Sequence, residues 1–136
     1  MLRTIFLGIV LCMGLMECKH FAMTKTDNLP VVNNSDNKMH IFVNYGSFNT
    51  KYINSQSNYI DSNSEGSIVQ VNKSWDSVLV RYEGVTLIFT EWISSPIREN
   101  EKHGSQKVYG YMYLTKAKLD SLGGVITFPD DVTLTE

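Results

Sequence analysis

The chain has 136 residues, 43% of them hydrophobic and 19% charged, with a net charge of −2. That length suits one domain, that balance excludes global disorder, and that charge leaves no electrostatic excess for general binding to nucleic acid or anionic lipid. The only two cysteines are Cys12 and Cys18. The chain beyond them therefore holds no intrachain disulfide, no cysteine nucleophile and no cysteine metal site.

Met1-Leu2-Arg3-Thr4 places one positive charge ahead of an apolar run over residues 5–15, and Glu17, Lys19 and His20 end that run. Charge, apolar core and polar flank in this order predict an export signal peptide over residues 1–18, since a run of about 11 residues is too short to span a bilayer comfortably. A buried N-terminal helix or strand is the other reading of the same run. Leu15-Met16-Glu17-Cys18 resembles the lipobox of bacterial lipoproteins, where a leucine three residues before a cysteine precedes cleavage and the cysteine is lipidated. Glu17 stands where that pattern has a small residue, and cleavage after Ala22 is the alternative. The resemblance implies lipidation at Cys18, a membrane anchor, and a location in the periplasm or outer membrane of a bacterium.

Residues 19–38 are polar, contain Pro30 and keep no persistent period, which predicts a flexible linker. Residues 39–43 then predict a first strand and 51–53 a short second one, with a loop over 54–64 around Tyr59 and Ile60. Residues 65–84 read as a hairpin. Ile68-Val69-Gln70-Val71 is its first strand, Asn72-Lys73-Ser74 the turn, and Val78-Leu79-Val80-Arg81 after Trp75 the second strand. Residues 85–93 carry apolar side chains on both faces and predict a strand buried on both sides or one crossing between sheets.

Residues 94–106 are polar and charged and predict a solvated loop or hairpin arm. Residues 107–114 predict a strand with Tyr109, Tyr111 and Tyr113 on one face. Residues 115–122 predict one or two helical turns ended by Gly123-Gly124, and residues 125–128 a last strand. Many short strands, frequent turns and little helix argue an all-β barrel or sandwich.

The order of these pieces resembles a bacterial SH3-like domain. Gly66 with Ile68-Val69-Gln70-Val71 matches its Val-x-Val strand, and Trp75 with residues 78–82 matches its tryptophan strand. Glu83-Gly84 matches its turn, and Tyr109-Gly110-Tyr111-Met112-Tyr113-Leu114 its glycine-aromatic strand. The likeness covers roughly residues 51–119. It departs from the family in the inserted stretch 85–106 and in lacking an Arg-x-Gly-Pro turn after the first strand. It implies an all-β fold over residues 39–136: a small SH3-like barrel of short antiparallel strands with a long inserted hairpin or loop.

No catalytic pattern emerges. His20, His40 and His103 show no zinc-binding spacing, no Gly-x-Ser-x-Gly elbow or phosphate-binding glycine loop occurs, and no pair of carboxylates is placed for sugar hydrolysis. The sequence thus predicts a non-enzyme with no metal and no cofactor. A small secreted hydrolase with an unrecognised site ranks last. The aromatic residues Tyr82, Trp92, Tyr109 and Tyr111 are the candidate ligand-binding set, against the alternative that they are packing. The SH3 likeness implies peptidoglycan or a wall-associated peptide as ligand. The competing reading is a periplasmic inhibitor or immunity-type protein that binds an envelope protein through the 94–106 loop.

Overall fold

A computed structural model describes residues 26–50, 57–92 and 107–136. They form two sheets and two short helices. In chain order the elements are β1 (Thr26–Asn33), β2 (Met39–Tyr45), β3 (Ser57–Ile60), β4 (Ser64–Val71), α1 (Trp75–Tyr82), β5 (Val85–Glu91), β6 (Val108–Leu114), α2 (Lys116–Ser121), β7 (Ile126–Phe128) and β8 (Thr133–Leu134). One sheet has the order β4-β1-β7, the other β3-β2-β5-β6-β8. The fold is all-β in class. Among the described residues the strands do not close into a barrel.

The first correction concerns the expected linker. Its residues 26–33 are β1, the middle strand of the three-stranded sheet, antiparallel to β4 and parallel to β7. Leu29, Val31 and Asn33 point inward and are buried, while Asn28 and Pro30 are exposed. This is the period of two that defines a half-buried strand. Pro30 is tolerated because β7 covers β1 only from Val31 onward, so no ladder bond is lost on that side. Residues 1–25, with the expected signal peptide and Cys18, lie outside the described residues, as do the expected strand at 51–53 and the expected loop at 94–106.

The second correction concerns the expected hairpin over residues 65–84. Its first half is β4, but Trp75–Tyr82 is a helix, not a strand. Ser74 caps it, its side chain accepting from Ser77 N at 3.1 Å, and Asp76 sits in the first turn. Glu83 closes it in the left-handed region, φ 59°. Trp75, Val78 and Leu79 are buried and Tyr82 is half-buried. These four occupy positions i, i+3, i+4 and i+7, the helical stripe. The backbone N–H of Trp75 donates to Asp27 Oδ2 at 2.6 Å, which fastens the helix start to β1.

The hydrophobic core lies between the sheets. Leu29, Val31 and Ile68 from the smaller sheet meet Ile41, Leu87 and Phe89 from the larger one, all at most 2% exposed. Phe89 stacks on Phe128 at 5.3 Å. Burying each such side chain contributes about 1.5–3 kcal/mol. The expected terminal helix forms as α2, with Leu119 buried and Thr115 as its cap. Gly110 admits β8: a Cβ there would stand 2.6 Å from the carbonyl oxygen of Thr133.

Candidate binding face

β5, at the centre of the larger sheet, is buried on both sides, one of the two placements that the apolar content of residues 85–93 predicts. Along β5 every residue from Val85 to Thr90 is buried. The odd-numbered residues of β2 and β5 enter the core. The even-numbered ones build a second face. His40 pairs with Tyr59 on one side and Thr90 on the other, Phe42 with Ile88, and Asn44 with Thr86. Ile88 and Thr86 continue onto Tyr111 and Tyr113 of β6.

At one end this face is covered by residues 46–50, which fold back across it. Asn44 Nδ2 donates to Asn49 O at 2.9 Å, and Asn49 N donates to Thr86 Oγ1 at 3.0 Å. Phe48 then meets Tyr111 and Tyr113 edge-on, with ring centroids 6.4 and 6.3 Å away, the geometry favoured by the ring quadrupoles. At the opposite end, Tyr59, Lys38 and Trp92 line up across β3, β2 and β5. The Lys38 ammonium lies 4.9 Å from the Tyr59 ring centroid and 4.3 Å from that of Trp92. Asp61 holds it at 3.0 Å. Tyr59 is 62% exposed, Phe48 56% and Trp92 39%.

Of the four aromatic residues expected to bind ligand, the structure brings two to this face, Trp92 and Tyr111. The other two face the core. Tyr82 packs on Tyr45 at 5.0 Å, and the Tyr45 hydroxyl exchanges hydrogen bonds with Gln70. Tyr109 packs on Phe128 at 6.3 Å. Its expected place beside Tyr111 is lost at a bulge: Phe89 pairs with Gly110 but Thr90 with Val108, so Tyr109 is skipped in the pairing with β5 and turns to the core. Burial pushes the Tyr109 phenol above its ordinary pKa, and the Glu91 carboxylate adds to the shift.

Lys38, Tyr59, Asp61 and Phe48 escaped the sequence reading. Lys38 sat in the presumed linker and Tyr59 in a presumed loop. The usable signal was Tyr59-Ile60 itself, an exposed-then-buried pair four residues before the next strand. No protein-family model, no curated protein and no solved structure matches the chain.

Proposed function

We propose that the protein is a non-enzymatic, exported binding module of the bacterial cell envelope. It takes peptidoglycan or a wall-associated peptide on the second face of the larger sheet. One observation carries this reading. Three large aromatic side chains, Tyr59, Trp92 and Phe48, stand substantially exposed along one face of a sheet on which Phe42, Asn44, Thr86, Ile88 and Thr90 are buried. Exposed rings of this kind supply large contact area, and Tyr59 and Trp92 add a polar tip for orientation.

Export rests on the charge-apolar-polar leader, and attachment to the membrane on Cys18 in its lipobox-like setting. The SH3 likeness is supported by the all-β class and by the β4 and β6 segments that carry its motifs. The segment aligned with its tryptophan strand is α1. The site is revised accordingly to Tyr59, Trp92, Phe48 and Tyr111, with Tyr82 and Tyr109 assigned to packing.

Cosedimentation with insoluble peptidoglycan sacculi tests the reading. The protein is expected in the pellet, and the double variant Tyr59→Ala, Trp92→Ala in the supernatant with unchanged circular dichroism. Wild-type protein left in the supernatant, together with a co-purifying envelope protein, would replace this reading by the inhibitor one.

A further inference from the structure

Two ring faces and a carboxylate surround the Lys38 ammonium, at the distances given above. Ring faces attract organic cations through the quadrupole, and a nearby carboxylate adds Coulombic attraction. The placement of the rings does not depend on the lysine side chain. Tyr59 is fixed by the pairing of β3 with β2, opposite His40. Trp92 follows β5 directly, and its N–H donates to the backbone carbonyl of Lys38 at 3.4 Å. The clamp is therefore built by backbone, and Lys38 only fills it.

We propose that Tyr59, Trp92 and Asp61 form a binding site for a ligand ammonium group, primary or quaternary, and that Lys38 occupies this site in the free protein. The lysine is a displaceable occupant. Its side chain is 34% exposed and that of Asp61 63%, so water screens the pair and the four-carbon stem can swing the ammonium into solvent. A ligand that brings an ammonium to this end and makes further contacts along the face replaces it. The identity of the natural ligand rests on the envelope-binding reading; the ammonium site itself does not.

The full chain is titrated with tetramethylammonium chloride and, separately, with lysine amide. Sodium chloride at equal ionic strength is the control. Trp92 emission is the readout, since the only other tryptophan, Trp75, is 3% exposed. If Lys38 occupies the clamp most of the time, Lys38→Gln binds either probe about twofold tighter or more. Adding Asp61→Asn to Lys38→Gln removes most of that gain. Equal affinities in wild type and Lys38→Gln, or a response matched by sodium chloride, overturn the proposal. If ammonium probes give no response while sacculi still sediment the protein, the clamp falls and the envelope reading stands. If the probes bind and the sacculi do not, the reverse holds. Lys38→Met, which keeps the stem without the charge, must behave as Lys38→Gln does; if only one of the two tightens binding, the displaced-occupant account fails.

Discussion

The indole N–H of Trp75 donates to the backbone carbonyl of Ile68, seven residues earlier, at 2.9 Å. This buried bond ties α1 to the strand that precedes it. Trp75→Phe keeps most of the packing and removes the donor. It is expected to cost about 1–3 kcal/mol, because the Ile68 carbonyl loses a buried partner. Urea unfolding followed by circular dichroism reads this as a lower midpoint at unchanged slope; an unchanged midpoint would assign the bond no net contribution.

Asn33 is fully buried and uses its whole amide. Nδ2 donates to the carbonyls of Asn37 and Asp61 at 2.8 and 2.9 Å, and Oδ1 accepts from the N–H and hydroxyl of Ser35 at 3.0 and 2.7 Å. One side chain thus joins the β1–β2 turn to the β3–β4 turn, which links the two sheets. Asn33→Ala is expected to destabilise by roughly 1–3 kcal/mol for each group left buried and unpaired. Asn33→Asp presents a carboxylate to two carbonyl oxygens, so it should be less stable than Asn33→Ala at neutral pH and recover on acidification. Melting temperatures of both variants across pH decide the point; a pH-independent difference would contradict it.

Gly110 is required by the closeness of β8, since a methyl group there meets both Thr133 O and Val132 Cγ1. Gly110→Ala is expected to push β8 off β6 at a cost of about 1–3 kcal/mol. Hydrogen exchange should locate the damage. The Thr135 amide, which donates to Tyr109 O at 3.0 Å, should lose protection, while amides of β1 and β4 keep theirs. Uniform loss of protection would mean that β8 is not a separable edge.

Tyr109 ties stability to alkaline pH. Its phenol ionises less readily folded than unfolded, through burial first and Glu91 second. The folded chain therefore holds this proton where the unfolded chain has lost it. The contribution is complete below the ordinary tyrosine value of about 10 and disappears as pH rises through the folded value. Tyr109→Phe should flatten the fall of stability above that pH, and Glu91→Gln should lower the Tyr109 pKa in a tyrosinate absorbance titration. An identical alkaline profile in Tyr109→Phe would rule out this linkage.

Strands whose alternation is written in apolar residues were legible: β2, β4, β5, β6 and β7 fall where the sequence predicts them, and so does α2 with its Gly123-Gly124 stop. β1 was hidden because Asp27, Asn28 and Asn33 give it the composition of a linker, although Asn33 is buried and satisfied by partners as distant as Asp61. α1 was hidden by residue type. The β-branched Val78 and Val80 favour strands, yet Trp75, Val78, Leu79 and Tyr82 carry the helical period, and the cap at Ser74 supports it. Two of the four aromatic residues were misplaced for different reasons: Tyr82 because its segment is a helix, and Tyr109 because a bulge, which no pattern of apolar residues announces, shifts the register at Thr90.

The start of β1 at Thr26 sets a length. If Cys18 carries a lipid, only residues 19–25 separate the anchor from the first strand, and seven residues reach at most about 25 Å at ~3.3–3.6 Å each. A twenty-residue tether would reach nearly three times as far. Because β1 is the middle strand of its sheet, such an anchor would pull on the interior of the fold and not on a loose end. The domain would then patrol only the layer next to its own membrane, and a wall component lying farther out would have to come to it.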